Sequence, residues 1–505
     1  MYSVYKLCVI LAAFLLNEAS AVNILFFVPC YGGHFGTIST LLVPLCKTNK
    51  CTVFESAKLC EKKLESFRKI VNFEVIKNHG LPDEYSIRDS LEFSFNVSSH
   101  RIELYEFGYE SLTEVLEDRS RPVDSRFDIL ITDSAIVSTL TVAERFDLPV
   151  IGLSIGVPGG VECIEDKWKF AMHELFLFKP FARKSWQWLK EKRDSLKLPE
   201  LEYQGEFLTT EYTDRFPMMI PTSPKIYPKP HEKVEHLYIG GLRKEESYAE
   251  LDPEIENWIS KNDLDVVYMS LGTHAKLDED SLNEIVTKLK AQKKYRFIWS
   301  LDLGLEKIAE KSGVLSETTD NLYLTGYLSQ FILLGNSKVK VFVSHCGLGS
   351  IVDLVSRKIP GVFLPQFSEQ FANAAKLDSL SVGVTLKELK VEKLLEAIDQ
   401  VIGNYSVHQK SLNKLANQFS SYENHEKIIE FVDKIASRKH VSMWQKLPYH
   451  VHCSRIHVGW QALKVAIVLI ALIMLIKLKI QCYNLSREWN FLKTIAASIQ
   501  FEAIL

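Results

Sequence analysis

Short apolar runs rich in β-branched and aromatic residues alternate with helical stretches along this chain. That alternation constrains its fold more than any other feature, because such runs are typical of strands buried on both faces. We predict strands at residues 22–29, 127–132, 148–153, 265–271, 296–300, 322–325, 339–344 and 362–364. Strands that alternate with helices predict parallel sheets with helical crossovers.

The chain of 505 residues is too long for one hydrophobic core, so at least two domains are expected. Proline is dense over residues 216–230, and Gly240 and Gly241 follow a short strand. A domain boundary is therefore predicted between residues 242 and 252. We predict an α/β fold with two open domains in tandem, residues 22–245 and 246–445.

The N-terminus predicts a secretory signal peptide over residues 1–21. Lys6 precedes an apolar stretch, and Ala19-Ser20-Ala21 is a small-residue cleavage site. The mature chain would enter the secretory pathway, where Asn96 and Asn404 would be candidate glycosylation acceptors.

The C-terminus predicts a transmembrane helix over residues 458–480. At about 1.5 Å per residue this segment reaches roughly 34 Å, enough for a hydrocarbon core of about 30 Å. Lys464, Lys477 and Lys479 lie near its ends, where lysines can snorkel. The alternative is a buried hydrophobic helix. With the span, residues 481–505 form a cytosolic tail and the protein is a single-pass type I membrane protein.

Charge and cysteine content exclude some classes of function. The net charge is −3, with no basic patch typical of nucleic-acid binding, so no nucleic-acid partner is expected. The nine cysteines include no CxxC pair, which argues against a zinc site. One or two disulfides are possible among Cys30, Cys46, Cys51 and Cys60, and the sequence does not pair them.

The segment Val341–Gln370 carries the strongest functional signal. His345 follows a predicted strand, and a small-residue turn containing Gly347, Gly349 and Ser350 then leads into a helix. Backbone N–H groups at a helix N-terminus favour a phosphate. The loop after the next strand ends in Glu369 and Gln370, a carboxylate and an amide suited to sugar hydroxyls. Together these features predict a nucleotide-sugar site.

Polar residues also follow other predicted strands, and ligands bind open α/β sheets at that edge. Ser270, Gly272 and Thr273 could add phosphate contacts, while Tyr327 could stack a base and Gln330 could bind its edge. Ordinary turn residues are the alternative for each.

In the first domain, His34 lies in a predicted loop between a strand and a helix predicted over residues 37–45, and Asp133 follows another predicted strand. A histidine can take a proton from an acceptor hydroxyl, and a carboxylate on its other ring nitrogen would orient it. The alternative is a loop histidine without a role and an aspartate that caps a helix. Asp128 begins its strand and is interpreted as structural.

Two other motifs, one for dinucleotide binding and one for metal binding, are matched only in part. Gly347-Leu348-Gly349 has no third glycine at the spacing of a dinucleotide fingerprint. Asp263-Leu264-Asp265 precedes a strand and Asp278-Glu279-Asp280 resembles a helix start, so neither is interpreted as a metal site.

The chain resembles the animal UDP-glycosyltransferases in four segments: the GGHFG loop, the FDILITD strand, the VVYMSLGT strand and the segment from Tyr327 to Gln370. This family includes the membrane-anchored UDP-glucuronosyltransferases. The resemblance covers nearly the whole chain. It implies two Rossmann-like domains of the GT-B type that face each other across a cleft, followed by the C-terminal transmembrane helix.

By the same resemblance, His34 is the catalytic base and Asp133 its partner. His345 and Ser270 contact the diphosphate, Gln330 lies near the nucleoside, Asp353 replaces the ribose-binding glutamate, and Glu369 and Gln370 stand where the family has Asp-Gln. The chain departs from the family pattern at Tyr327 (for Trp), Cys346 (for Gly), Asp353 and Glu369.

The resemblance implies transfer of a glucuronosyl or glucosyl group from a UDP-sugar to a hydroxyl of a small lipophilic acceptor. The reaction would invert the anomeric carbon without a metal or other cofactor. The expected location is the endoplasmic reticulum membrane with the catalytic domains lumenal, and a homo-oligomer is possible. The competing hypothesis is a membrane-anchored protein that binds a UDP-sugar or a lipophile with little or no catalysis.

Overall fold

The computed structural model describes residues 21–27, 32–55, 61–77, 106–118, 120, 126–133, 137–153, 179–198, 217–227, 235–242, 250–272, 277–314, 318–326, 328–366 and 369–438. Residues 1–20 of the predicted signal peptide and the whole predicted span 458–480 lie outside this set. Within the described residues, no helix is both long enough and apolar enough to cross a membrane.

Within the described part of the chain, seven parallel strands form the first sheet, in the order β3-β2-β1-β4-β5-β6-β7. Every residue of β4 is buried, as are four of the five residues of β1, which explains their nearly continuous apolar sequences. The strands are β1 (Asn23–Phe27), β2 (Lys50–Glu55), β3 (Glu74–Lys77), β4 (Ile129–Asp133), β5 (Val150–Leu153), β6 (Met218–Ile220) and β7 (His236–Tyr238).

Among the residues that the structure describes, six parallel strands form the second sheet, in the order β10-β9-β8-β11-β12-β13. The strands are β8 (Val266–Ser270), β9 (Arg296–Ser300), β10 (Leu322–Thr325), β11 (Val339–Ser344), β12 (Gly361–Phe363) and β13 (Gly383–Thr385). The two parallel sheets predicted from the alternation are confirmed. The domain boundaries stay a prediction.

Helices lie between most successive strands. In the first half they are α1 (Gly32–Cys46), α2 (Glu61–Arg68), α3 (residues 106–117), α4 (Val137–Arg145) and α5 (Lys179–Ser195). In the second half they are α6 (Pro253–Ser260), α7 (Glu279–Ala291), α8 (Leu303–Lys311), α9 (Gln330–Leu333), α10 (Leu348–Arg357), α11 (Glu369–Ser379), α12 (Val391–Gly403), α13 (Tyr405–Tyr422) and α14 (His425–Ala436).

The end of the described chain returns to the first sheet. Helix α14 contacts α1, β4 and β5, and its buried Ile428 and Val432 join one apolar cluster with Phe26 of β1. The same cluster contains Phe342 of the second sheet, so a continuous core connects the two halves. Lys434 of α14 also donates to Glu235, just before β7, at 2.7 Å.

The linker after β7, residues 240–242, packs closely against the end of α13. Gly240 has φ +64°, and a Cβ atom there would lie 2.5 Å from the Phe419 carbonyl oxygen. The backbone N–H of Gly241 donates to Glu423 Oε1 at 3.1 Å. Glycine is required at position 240 both by the left-handed backbone and by the close approach of α13.

Local details both correct and complete the sequence interpretation. Helix α1 begins at Gly32, inside the segment predicted as a loop before Thr37. Asp128 is structural as predicted, since its Oδ2 accepts from the Asn23 backbone N–H at 2.8 Å. Asp278 caps α7 by accepting from the Ser281 N–H, which confirms the helix-start interpretation. Cys46 and Cys51 form a disulfide.

Candidate functional site

Each sheet has a topological switch point, where chain connections leave in opposite directions. In the first sheet it lies between β1 and β4, and in the second between β8 and β11. Crevices at the carboxyl ends of such strand pairs are the usual ligand sites of open α/β sheets. Ser270 ends β8, and His345 comes directly after β11. The predicted phosphate residues therefore meet at the switch point of the second sheet.

The imidazole of His345 is held between two glycines. Its Nδ1 lies 3.5 Å from the Ser270 carbonyl oxygen. A Cβ atom on Gly272 would lie 2.6 Å from His345 Nε2, and one on Gly347 would lie 2.5 Å from the same atom. Both values are shorter than any normal contact, so the ring occupies space that only glycine leaves open at these two positions.

Burial controls the charge of His345. Removal from water lowers its pKa from the ordinary 6.5 to about 4, and the hydrogen bond to the Ser270 backbone opposes this shift only in part. The imidazole is therefore neutral at pH 7. A neutral ring with Nδ1 toward a carbonyl carries its proton there, and this leaves Nε2 as an acceptor in the free protein.

Cys346 makes the turn from the strand to the helix. Its backbone is left-handed, with φ +65°. Its N–H donates to Ser344 Oγ at 3.1 Å, and its carbonyl accepts from Asn373 Nδ2 at 2.9 Å. The side chain is fully buried in the apolar core, and burial raises the pKa of the thiol. The extra side chain, relative to the family glycine, therefore points away from the solvent-exposed surface of the loop.

Helix α10 presents its N-terminus to this loop. Gly347 is its N-cap and supplies no side-chain cap. The first N–H groups of α10 thus have no side-chain acceptor at the cap, which is the arrangement that favours a bound phosphate. Gly349 and Ser350 lie in this first turn of the helix, whereas the sequence predicts them in the turn before it.

A second group of polar residues lies one turn further along α10. Gln330 Nε2 donates to Asp353 Oδ2 at 2.7 Å and lies 3.4 Å from Ser350 Oγ. Gln330 is the first residue of α9, whereas Asp353 and Ser350 belong to α10. The structure thus brings together three residues predicted for one site, at a position next to the phosphate loop.

The predicted sugar-binding pair begins α11. Gln370 is buried, and its Oε1 accepts from the backbone N–H of Gln366 at 2.9 Å. For Glu369 the structure describes the backbone and not the side chain. Asn373 lies on the same helix, and through Cys346 it ties the start of α11 to the phosphate loop.

The residues predicted for catalysis lie at the switch point of the first sheet. His34 is in the first turn of α1, which follows β1, and Asp133 is the last residue of β4. Phe27 at the end of β1 is in register with Thr132, whose Oγ1 donates to the Phe27 carbonyl at 2.9 Å. Asp133 is fully buried. The backbone thus brings both residues to one edge, while the side chain of His34 is not described.

Two of the predicted site residues, Thr273 and Tyr327, lie outside the described part of the chain. Two supporting residues were not anticipated from the sequence: Asn373, which holds the Cys346 carbonyl, and Arg357, which contacts α9. The helical spacing of Asn373 from Gln370 is a signal that could have found the former. Nothing comparable in the sequence marks Arg357.

Comparison with solved structures defines the class of fold. A UDP-glucosyltransferase from Polygonum tinctorium capable of glucosylating indoxyl, in complex with 3,4-dichloroaniline, has a TM-score of 0.57 at 14% identity. The match covers 84% of this chain and 100% of that one. Os79 from O. sativa, in complex with U2F and trichothecene, has a TM-score of 0.59 at 15% identity, covering 82% and 100%. The fold is that of the GT-B glycosyltransferases, with two Rossmann-like parallel sheets.

The family follows from the sequence match. The model of UDP-glucoronosyl and UDP-glucosyl transferases matches residues 201–478, more than half of the chain. The protein belongs to this family of UDP-glycosyltransferases.

Individual relatives are distant. The ecdysteroid UDP-glucosyltransferase of Lacanobia oleracea granulosis virus is 20% identical over 365 residues, 68% of this chain and 74% of that protein. The UDP-glucuronosyltransferase 2B15 of Rattus norvegicus is 27% identical over 307 residues, 58% of this chain and 54% of that protein. The 2-hydroxyacylsphingosine 1-beta-galactosyltransferase of Homo sapiens is 28% identical over 179 residues, and the match spans 31% of that protein.

Proposed function

We propose that this protein transfers a glucosyl or glucuronosyl group from a UDP-sugar to a hydroxyl of a small lipophilic acceptor, with inversion at the anomeric carbon and without a metal. The observation that carries the proposal is the loop at the end of β11. There His345, the uncapped N-terminus of α10 and the Gln330–Asp353 pair lie side by side.

This arrangement has the chemistry of a UDP site. Backbone N–H groups at the start of α10 would stabilise the negative charge that grows on the diphosphate as it leaves. In our proposal the His345 ring contacts the same group. The Asp353 carboxylate is an acceptor suited to ribose hydroxyls, and the Gln330 amide orients that carboxylate.

The proposed chemistry is a single displacement. The acceptor oxygen attacks the anomeric carbon while the bond from that carbon to the diphosphate oxygen breaks, and UDP leaves with the electron pair. His34 takes the proton from the attacking hydroxyl, and Asp133 stabilises the resulting imidazolium. Both residues belong to the half that faces the donor site across the cleft in this fold class.

The test uses the full chain in microsomes, with UDP-glucose and UDP-glucuronate offered alongside a mixed library of lipophilic alcohols and phenols. We expect a glycosylated product by mass detection with one of the two donors. His34→Ala should lower transfer by about 10²–10⁴-fold and leave UDP affinity within about twofold of the wild type. Undiminished transfer by His34→Ala would contradict the mechanism.

Binding and turnover separate the proposal from its rival. UDP binding without turnover over the whole acceptor library would favour a UDP-sugar-binding protein over an enzyme. We also propose a lumenal orientation in the endoplasmic reticulum, anchored by residues 458–480. Protease protection of the catalytic halves in sealed microsomes is the expected result, and digestion without detergent would contradict it.

A further inference from the structure

Arg357 makes two contacts with the short helix α9. Its Nε donates to the Phe331 carbonyl oxygen at 2.8 Å. Its guanidinium carbon lies 3.7 Å from the centre of the Phe331 ring, a cation–π stack on a buried aromatic side chain. The guanidinium also packs on the turn after α9, since a Cβ atom on Gly335 would lie 3.2 Å from its carbon.

Helix α9 needs such external support. It has only four residues, and its N-cap Ser329 makes no side-chain cap hydrogen bond. A single helical turn is not stable by itself, because one turn forms too few hydrogen bonds to offset the ordering of its backbone. The position of Gln330, the first residue of α9, is therefore determined by what holds the helix from outside.

Helix α10 holds α9 at two places. Asp353 and Arg357 are four residues apart on α10 and so lie on one face of it. Asp353 bonds the side chain of Gln330, and Arg357 bonds and stacks on the next residue, Phe331. The contact between Arg357 and Phe331 therefore holds α9 in place, and α9 carries the Gln330 side chain that bonds to Asp353.

We propose that Arg357 is a positioning residue of the nucleoside subsite, because it holds α9 so that Gln330 keeps the Asp353 carboxylate oriented for the ligand. The proposal rests on the UDP-glycosyltransferase function proposed above and adds a residue to its donor site. Arg357 itself lies beyond Asp353 on α10, away from the phosphate loop.

A lysine cannot take this role. The Nε donor and the planar guanidinium act together, one on the carbonyl and the other on the ring, and an ammonium group reproduces neither geometry. Arg357→Lys retains the charge but loses both geometries. We therefore expect it to behave like Arg357→Met. Full UDP affinity in the lysine variant would overturn the proposal, because charge alone would then explain the role.

The same protein contains a matched control. Arg296 also stacks on an aromatic ring, with its guanidinium carbon 3.5 Å from the centre of Trp258, and its Nε donates to the Asp320 carbonyl at 2.7 Å. Arg296 begins β9, so it lies at the opposite end of the second sheet from the donor loop. Arg296→Met removes an equivalent local interaction without touching the donor site.

The experiment measures UDP binding to the purified full chain by calorimetry, together with thermal stability. We expect Arg357→Met to raise the Kd for UDP about tenfold, since it removes one hydrogen bond and one cation–π contact that hold α9. Arg296→Met should leave this Kd within about twofold of the wild type and destabilise the fold instead. Donor KM should rise in Arg357→Met while acceptor KM stays unchanged.

Phe331→Leu provides a second variant if Arg357→Met does not fold. It keeps the backbone carbonyl and removes only the ring, so we expect a smaller loss of UDP affinity, about threefold. Unchanged UDP affinity in the folded Arg357 and Phe331 variants would overturn the inference and leave the proposed function standing. Absence of UDP binding by the wild type would instead contradict the proposed function itself.

Discussion

The His345 ring lies against the backbone of Gly272, so closely that a Cβ atom at position 272 would come within 2.6 Å of His345 Nε2. The two residues follow neighbouring parallel strands, β8 and β11, and meet at the switch point of the second sheet. The contact explains why a glycine is needed after β8: position 272 must accommodate both a left-handed backbone and an imidazole.

Gly272→Ala should displace His345 and reduce UDP affinity by about tenfold, because a rigid ring cannot move the required distance without leaving its site. Gly313→Ala is the control. Gly313 has φ +74°, close to the +77° of Gly272, but a Cβ atom there meets nothing within 4 Å. Both variants should lose about 1 kcal/mol of stability from backbone strain. Calorimetry with UDP distinguishes them, and equal UDP affinities would show that the His345 contact is irrelevant to the donor site.

The pKa of His345, lowered to about 4 by burial, predicts its pH behaviour. The native state binds fewer protons than the unfolded state between this pKa and the ordinary value of 6.5. The contribution of His345 to the free energy of unfolding should therefore be fully present above about pH 6.5 and be lost progressively as the pH falls toward 4. His345→Asn should abolish this part of the pH dependence in urea titrations. By NMR, the His345 ring should not titrate between about pH 5.5 and 8, and a midpoint near 6.5 would refute the burial argument.

Lys358→Gly should stabilise the protein by about 0.5–1 kcal/mol. Lys358 follows α10 with φ +58°, a left-handed position that favours glycine. Its carbonyl oxygen accepts from Gln409 Nε2, and a glycine retains that backbone acceptor. Thermal unfolding gives the measurement. Lys358→Ala is the control and should show no gain, since alanine keeps the left-handed strain; an equal gain from alanine would mean that removal of the lysine side chain is the cause.

Arg193→Met should destabilise the first half by about 3 kcal/mol or more. Arg193 of α5 donates to Glu144 of α4 at 2.7 Å, and their side chains are only 2% and 10% exposed. Removing the arginine leaves the carboxylate buried without this partner. The double variant Arg193→Met with Glu144→Leu should recover most of the stability, because no charge then remains unpaired. A loss in the double variant as large as in the single variant would contradict this account, as judged by urea unfolding.

The sequence was sufficient for nine of the thirteen strands that the structure describes and for the position of His345, but it did not predict β2, β3, β6 and β13. The apolar runs of β1, β4 and β11 are long and bounded, and a polar residue that follows a parallel strand has only one edge of the sheet to occupy. The sequence predicts a start of α1 at Thr37, five residues after the observed start at Gly32, because Gly-Gly suggests a loop. Helix packing overrides the low propensity of glycine at a first turn.

The remaining parts of the site depend on contacts between segments far apart in sequence. Asn373 reaches Cys346 across 27 residues, and Arg357 reaches Phe331 across 26. No sequence pattern links the two members of either pair, although the helical spacing of Asn373 from Gln370 places Asn373 near the site. The same holds for the disulfide: Cys46 and Cys51 are bonded because α1 and β2 bring their Cα atoms to 5.6 Å, which the spacing alone did not predict.

The return of α14 to the first sheet sets a rule for chimeras. A recombinant that joins the first half of this chain to the second half of a relative at the Gly240–Leu242 linker would cover β4 and β5 with a foreign helix. Ile428 and Val432 are buried on α14, which contacts α1, β4 and β5, so this helix belongs to the first half in packing although it follows the second half in sequence. A working exchange therefore needs two crossovers, one at the linker and one between Tyr422 and His425.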